Sequence, residues 1–275
     1  MTKFSFVVAA AALPLIAAIA NPATGLVKPA QVVMKPLPVL YVYDHCPFCI
    51  RVRFALGVKN IKHDIRFLMN DDADTPTSLV GKKIAPIWTF GEQVMPESLD
   101  IIKMLDADER FGPTNLIRPA SGRTDLKEWQ SKHQNLWRIL QRPRYVHSQS
   151  VLPEFQQQDA RDYFKRGHFV PLDGHDKASF KALSKEEIDA YFDRAIAMTA
   201  ESIPKANEAL RELDALIHSE ECASPGGISY DDVDLWARLR SVSIVKGVTM
   251  PAKLDAYMKN LSALCDVPLY WSCAI

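Results

Sequence analysis

Apolar and polar positions from Val39 onward change period several times, and each change marks an element. Val39-Leu40-Tyr41-Val42-Tyr43 is a short β-branched and aromatic run, which predicts a buried strand. Asp44 to Cys49 predicts a turn into a helix. Pro47 suits the first helical turn, where its missing N–H has no intrahelical partner to lose. Ile50, Phe54 and Ala55 then recur at helical spacing up to the region of Gly57. Asp64 to Leu68 predicts a second strand, parallel to the first if the helix is a crossover. A polar loop from Asn70 to Asp74 precedes a short helix, Pro76 to Val80. Ala85 to Phe90 and Val94-Met95 predict a hairpin turning through Gly91-Glu92-Gln93. Pro96-Glu97-Ser98 then opens a helix through Leu105.

This order is βαβαββα, an α/β thioredoxin-like pattern over residues 38–111. Residues 112–123 are expected to link it to a second domain. From Thr124 strand signals almost vanish, which predicts an all-α domain over 124–275. Asp125 to Gln141 is helical and carries Trp129 and Trp137. Ser184 with Glu187 three residues on forms a capping box before a long helix. Pro204 marks a kink or the first turn of the next helix, which runs to about His218. Ser229 with Asp232 is a variant box, and Ile228 and Val233 would staple its two sides. Leu235, Trp236, Leu239 and Val242 share one face of that helix. Aromatics at helical spacing are core more often than cleft, and Trp129, Trp137 and Trp236 are expected in the core. Residues 153–183 show no clear period beyond a helix with a loop.

The first residues follow a different logic. Residues 1–20 have a basic start at Lys3, a long apolar run and an Ala18-Ile19-Ala20 end, the pattern of a secretory signal peptide. Residues 21–37 are rich in Pro, Ala and Val without helical period, which predicts a linker. A second reading places the start of translation at Met34, immediately before the first strand. The first predicts export, the second does not.

Composition narrows the class. The chain has 275 residues, 48% hydrophobic and 24% charged, enough for a real core in two modest domains. Lys plus Arg equals Asp plus Glu, at 33 each, so no global charge draws it to nucleic acid or an anionic membrane. Arg138, Arg142 and Arg144 form a small basic cluster, expected to be a solvated helix end. The five cysteines are Cys46, Cys49, Cys222, Cys265 and Cys273, and only the first two are close in sequence. This is no secreted disulfide framework. The last three are expected to be inert.

Cys46-Pro47-Phe48-Cys49 carries the candidate chemistry. The thiolate is the attacking species in disulfide exchange, and an ordinary cysteine is mostly protonated at neutral pH. A sulfur at a helix N-terminus is stabilised as an anion by the macrodipole and free N–H groups. Cys46 is therefore the candidate exposed nucleophile, and Cys49, one turn on, the resolving thiol. A zinc half-site would need a second short-spaced pair, which His45 and His63 do not supply. Pro86 starts a later strand, and a cis bond after Ala85 would turn the Ala85 backbone toward Cys46, where it could pair with an extended peptide. At Glu97-Ser98 the helix N-terminus and the Ser98 hydroxyl suit a carboxylate, and Glu97 suits an ammonium. Simple capping would also explain this pair.

These segments resemble the bacterial glutaredoxin 2 family, the two-domain glutaredoxins with a glutathione-transferase-like fold. The resemblance rests on Tyr41 to Cys49, Asn70 to Thr77, Gly81-Lys82-Lys83, Pro86-Ile87 and Met95 to Ser98, and extends over about residues 37–275. It implies a glutathione-transferase-like C-terminal domain, with Cys46 as nucleophile and Cys49 as its partner. It implies that Ala85 and Pro86 contact the glutathione backbone and that Glu97 and Ser98 hold its γ-glutamyl group. Glutathione is then the co-substrate, with no metal or nucleotide. The partners are disulfide-containing or glutathionylated proteins, the chain a monomer and the compartment cytoplasmic. Phe48 and Ala85 stand where the family often has Tyr and Val. A glutathione transferase and a non-enzymatic module of the same fold are the competing readings, and the pair of cysteines argues against both.

Overall fold

The computed structural model describes residues 18–20, 27–29, 36–147 and 151–275. The chain divides into two units, Met1–Pro36 and Leu37–Ile275. In the first, β1 (Ala18–Ala20) pairs antiparallel with β2 (Val27–Pro29), Ala18 opposite Pro29 and Ala20 opposite Val27. Residues 27–29 are therefore a paired strand, where an irregular linker is expected. A ribbon edge tolerates Pro29, which has no N–H to offer. The rest of the signal-like segment, and Met34, lie outside the described residues.

The second unit begins with a four-stranded sheet of order β4-β3-β5-β6. Its elements are β3 (Val39–Val42), α1 (Pro47–Val58), β4 (Asp64–Phe67), α2 (Asp74–Val80), β5 (Ile87–Phe90), β6 (Gln93–Pro96) and α3 (Ser98–Ala107). β3 and β4 are parallel, with Val39 opposite Asp64, because α1 crosses over between them. β5 and β6 run antiparallel to their neighbours. Leu40, Val42, Ile87 and Trp88 have no exposed surface and anchor the sheet to the core. α2 starts at Asp74, two residues before Pro76: Asp72 accepts the Thr75 N–H at 3.0 Å, and Asp74 is a first-turn acid that favours the dipole. Gln93 is already in β6, so the hairpin turn is only Gly91-Glu92, with Gly91 at φ +60°.

The remainder is helical: α4 (Asp125–His147), α5 (Gln158–Gly167), α6 (Lys177–Lys181), α7 (Lys185–Ala197), α8 (Thr199–Leu216), α9 (Tyr230–Leu239) and α10 (Ala252–Cys265). Both expected capping boxes form. The Ser184 N–H reaches Glu187 Oε2 at 2.7 Å, and the Ser229 N–H reaches Asp232 Oδ2 at 2.9 Å. Asp176 with Ser179 makes a third box, which starts α6 in the stretch without clear period. α4 continues past Gln141 and through Pro143, because Arg144, Tyr145 and Val146 are buried and packing holds the last turn. Pro204 lies inside α8, past its first turn. Trp129, Trp137 and Trp236 are core side chains, as expected.

Arg142 and Arg144 of the basic cluster are not at a solvated helix end, whereas Arg138 is half-buried and donates to Asn135 Oδ1 on its own helix at 3.3 Å. Arg144 is 2% exposed and donates to the Leu140 carbonyl, Thr199 Oγ1 and the Ile275 carbonyl. Arg142 donates to the Phe169 carbonyl. Partners outside α4, the Phe169 and Ile275 carbonyls and the Thr199 hydroxyl, hold these guanidinium groups, which a helix wheel cannot show. Residues 112–123 are likewise pinned. The Arg118 N–H donates to the Ile228 carbonyl at 3.0 Å, and the Tyr230 N–H returns to the Arg118 carbonyl at 3.0 Å.

Two contacts fix the helical part against α1 and the loop before it. Gly57 in α1 meets the end of α10 so closely that a Cβ there would lie 1.8 Å from the Cys265 carbonyl oxygen. Asp44, 8% exposed, receives Arg53 from α1 and Arg240 from the 3-10 turn after α9, the latter at 3.1 Å. The Tyr270 hydroxyl donates to Asp44 Oδ2 at 2.6 Å, and Arg240 Nη1 donates to the Asp44 carbonyl at 2.7 Å. Burial alone would raise the Asp44 pKa, but Arg240, Arg53 and Tyr270 outweigh it and hold the carboxyl at about 2.

Gly57→Ala should destabilise the chain by about 2 kcal/mol, because the clash exceeds the helix-propensity gain of up to about 1 kcal/mol. An unchanged thermal melting temperature would contradict this packing. Asp44 should also give stability a pH signature. Its folded pKa lies below the unfolded value, so its contribution is complete above about pH 4 and is lost as pH falls through about 2. Urea unfolding should show a loss of about 2 kcal/mol over that window in the wild type, and none from this source in Asp44→Asn.

Candidate active site

Sheet register gathers the candidate residues at one end of the sheet. β3 runs toward Val42 and the Cys46 loop. Ile87, at the start of β5, lies opposite Tyr41, and Pro96, at the end of β6, lies opposite Ile87. Ala85-Pro86 and Glu97-Ser98 therefore adjoin the carboxyl end of β3, where Cys46 begins α1. The Ala85–Pro86 bond is cis, as expected. Pro86 is buried and Ala85 half-buried.

Cys46 is the N-cap residue of α1, with Pro47 in the first turn. Its N–H donates to the Tyr43 carbonyl at 3.3 Å, and its carbonyl accepts the Ile50 N–H at 3.0 Å. The sulfur is half-buried rather than freely exposed. A hydrogen bond from the Cys49 thiol lowers the Cys46 pKa most. Burial opposes it. The charge interaction with His45 and the N–H groups of Cys49 and Phe48 add to the lowering, and the thiol falls to about 6. Cys49 is fully buried and shifts the other way, raised well above the ordinary thiol range by burial and then by its bond to Cys46. The Tyr43 N–H donates to Cys49 Sγ at 3.4 Å. One sulfur is thus an anion at neutral pH and its neighbour a thiol that donates to it. Phe48 is exposed, with the Arg51 guanidinium 4.8 Å from its ring centroid.

Glu97 is the N-cap residue of α3, and its carbonyl accepts the Ile101 N–H at 3.0 Å, but the side chain is not used for capping. Its side chain makes no cap hydrogen bond, its φ is +73°, and its carboxylate reaches outward to Lys82 at 3.2 Å. Ser98 is buried in the first turn. The first N–H groups of a helix have no intrahelical partner, so this terminus can receive an anion. The remaining cysteines stand apart from the pair: Cys222 and Cys265 are buried, and Cys273 donates to the Tyr270 carbonyl at 3.2 Å. Burial pushes the Cys265 thiol up to about 12.

Two arrangements beside Cys46 escape sequence reasoning. One is the Asp44 brace, whose partners Arg240 and Tyr270 lie about two hundred residues away. The other joins His45 to Glu154, buried in the 3-10 turn Pro153–Phe155. His45 was conspicuous only as a failed metal ligand. Glu154 lies in the stretch without periodic signal, and nothing in its neighbourhood marks it.

The family model "Glutaredoxin 2, C terminal domain" matches residues 175–274, and "Glutathione S-transferase, N-terminal domain" matches residues 40–113. Glutaredoxin 2 of Escherichia coli strain K12 is 33% identical over 244 residues, covering 86% of this chain and 99% of that protein. Glutaredoxin 2 of Escherichia coli O157:H7 gives the same figures. The crystal structure of glutaredoxin 2 from Salmonella typhimurium in complex with glutathione superposes with a TM-score of 0.73 at 32% identity, covering 87% of this chain and all of that one. With a third of the residues shared over nearly the whole length of each relative, the chain belongs to the glutaredoxin 2 family.

Proposed function

We propose that this protein is a glutathione-dependent thiol–disulfide oxidoreductase that reduces glutathione mixed disulfides and protein disulfides through Cys46 and Cys49. The observation that carries the reading is the opposed pair of sulfurs: one lowered to about 6 at a helix start, the other buried and raised, one turn away.

In the first half-reaction the Cys46 thiolate attacks the glutathione sulfur of a mixed disulfide. A Cys46–glutathione disulfide forms and the protein thiolate leaves. A second glutathione thiolate then attacks that glutathione sulfur, releasing oxidised glutathione and restoring Cys46. On a protein disulfide, the Cys46 thiolate attacks one sulfur and releases the other; Cys49 then attacks Cys46 and releases the first, and two glutathione thiols reduce the resulting Cys46–Cys49 disulfide, leaving as oxidised glutathione. Once Cys46 is in a disulfide it no longer carries the charge that helps hold Cys49 protonated, which frees Cys49 to ionise.

In this reading the Ala85 backbone beside Pro86 pairs with the peptide backbone of glutathione. The start of α3 and Ser98 hold the α-carboxylate of its γ-glutamyl end. Glu97 accepts the ammonium in place of Lys82, its exposed partner in the free protein. The superposable relative was solved in complex with glutathione, which supports this assignment. The transferase reading has the N-terminal family match in its favour. Two thiols one turn apart favour the oxidoreductase, because conjugating glutathione to an electrophile has no use for a resolving sulfur. Disulfide-bearing or glutathionylated proteins are the partners proposed. Among the described residues no helix is long and apolar enough to cross a membrane.

Cys46→Ser should abolish glutathione-dependent reduction of a small mixed disulfide. Cys49→Ser should retain much of that activity but lose reduction of a protein disulfide. Equal rates for Cys46→Ser and the wild type would remove the nucleophile assignment. Glu97→Ala and Ser98→Ala should each raise the KM for glutathione about fivefold to thirtyfold, for the loss of a charge-assisted or neutral hydrogen bond of about 1–2 kcal/mol. Melting temperatures should be little changed, since the Glu97 side chain makes no capping hydrogen bond to α3 and Ser98 lies inside the helix. An unaltered KM in both would leave the γ-glutamyl group without its proposed partners.

A further inference from the structure

His45 precedes the nucleophile, and its ring is enclosed by aromatic side chains from three elements. Ring centroids lie 4.9 Å away at Tyr145 of α4, 5.0 Å at Phe155 and 5.2 Å at Phe164 of α5. His45 is 7% exposed. Within this enclosure one carboxylate meets it. Glu154 Oε1 lies 2.6 Å from His45 Nδ1 and accepts the His45 backbone N–H at 2.9 Å. Glu154 has no exposed surface, and its Oε2 is buried with no hydrogen-bond partner among the described residues. The Glu154 carbonyl accepts the Asn70 N–H at 3.1 Å, which ties the turn to the loop after β4. A buried carboxylate needs a counter-charge, and among the described residues this one has the imidazole alone.

We propose that Glu154 is a positioning residue for the disulfide chemistry: it fixes the orientation of the His45 ring and holds it as a cation beside the Cys46 sulfur, favouring the thiolate. This rests on Cys46 being the nucleophile and adds a residue through which its ionisation is set.

The other charged and titratable groups around His45 do not replace this pair. Asp44, in the same loop, is neutralised by Arg53 and Arg240. The phenols of Tyr43 and Tyr145 are raised by burial, Tyr145 to about 12, and stay neutral. His168 stacks on the far side of Phe164 at 4.0 Å, and burial depresses it to about 3, so it carries no charge at neutral pH. Arg142, on α4, is directed to the Phe169 carbonyl. His45 is thus the cation that acts on Cys46, and Glu154 is the anion that sustains it.

The test is the pH dependence of Cys46 alkylation by iodoacetamide, followed by mass spectrometry of the reduced full chain. Wild type should show a midpoint near pH 6. Glu154→Gln keeps the shape and the backbone hydrogen bond but removes the charge. Its midpoint should rise by about one unit, making alkylation on the order of eightfold slower at pH 5.5 and equal to wild type at pH 9. His45→Gln should shift the midpoint upward too, and adding Glu154→Gln to it should produce no further rise. An unshifted midpoint in Glu154→Gln, or a rate lowered equally at every pH, would overturn the proposal while leaving Cys46 as nucleophile. A wild-type midpoint near that of free cysteine would instead overturn the nucleophile assignment itself. Should Glu154→Gln fail to fold, ring 15N shifts of wild-type His45 decide the matter: both nitrogens protonated while Cys46 is a thiolate supports it, and a neutral ring at that pH overturns it.

Discussion

A negative sulfur has to exist at the first turn of α1 in a place with little water, and much of the surrounding structure answers to that requirement. Hydrogen bonds from Cys49 and the helix N–H groups, and the charge interaction with His45, together overcome the burial that would otherwise keep Cys46 protonated. The same proximity forces Cys49 the other way. The asymmetry divides the labour between the two sulfurs, one to attack and one to resolve.

The helical part contributes more than bulk. Its Arg240 and Tyr270 grip Asp44, two residues before the nucleophile, while Glu154 engages His45, the residue between them. Gly57 lets α10 close onto the opposite end of α1. α1 is therefore held at both ends. An isolated sheet-and-helix half would keep the Cys-x-x-Cys sequence but lose the groups that hold its loop.

The elements that position the site were legible because their signals are local. The strand before Cys46, Pro47 in the first turn, Pro86 at the start of β5, and the boxes at Ser184 and Ser229 each act over a few residues. Extents were less legible where distant packing decides them. α4 runs through Pro143 because Tyr145 and Val146 are buried, and α6 starts from an Asp176 box in a stretch without period. The misjudged residues share one cause. Arg142 and Arg144 are expected in solvent and instead donate to the Phe169 and Ile275 carbonyls, in segments that a helical pattern does not reveal. Glu154 was invisible for the same reason: its role exists only once residues separated by more than a hundred positions are brought together.

The ionisation of one sulfur is the central claim, and ultraviolet absorbance of the thiolate reports it directly. Titrating the reduced wild-type chain against Cys46→Ser should reveal one thiolate appearing with a midpoint near pH 6 that is absent from the variant. A difference spectrum that emerges only near pH 8.5, as for free cysteine, would contradict the account.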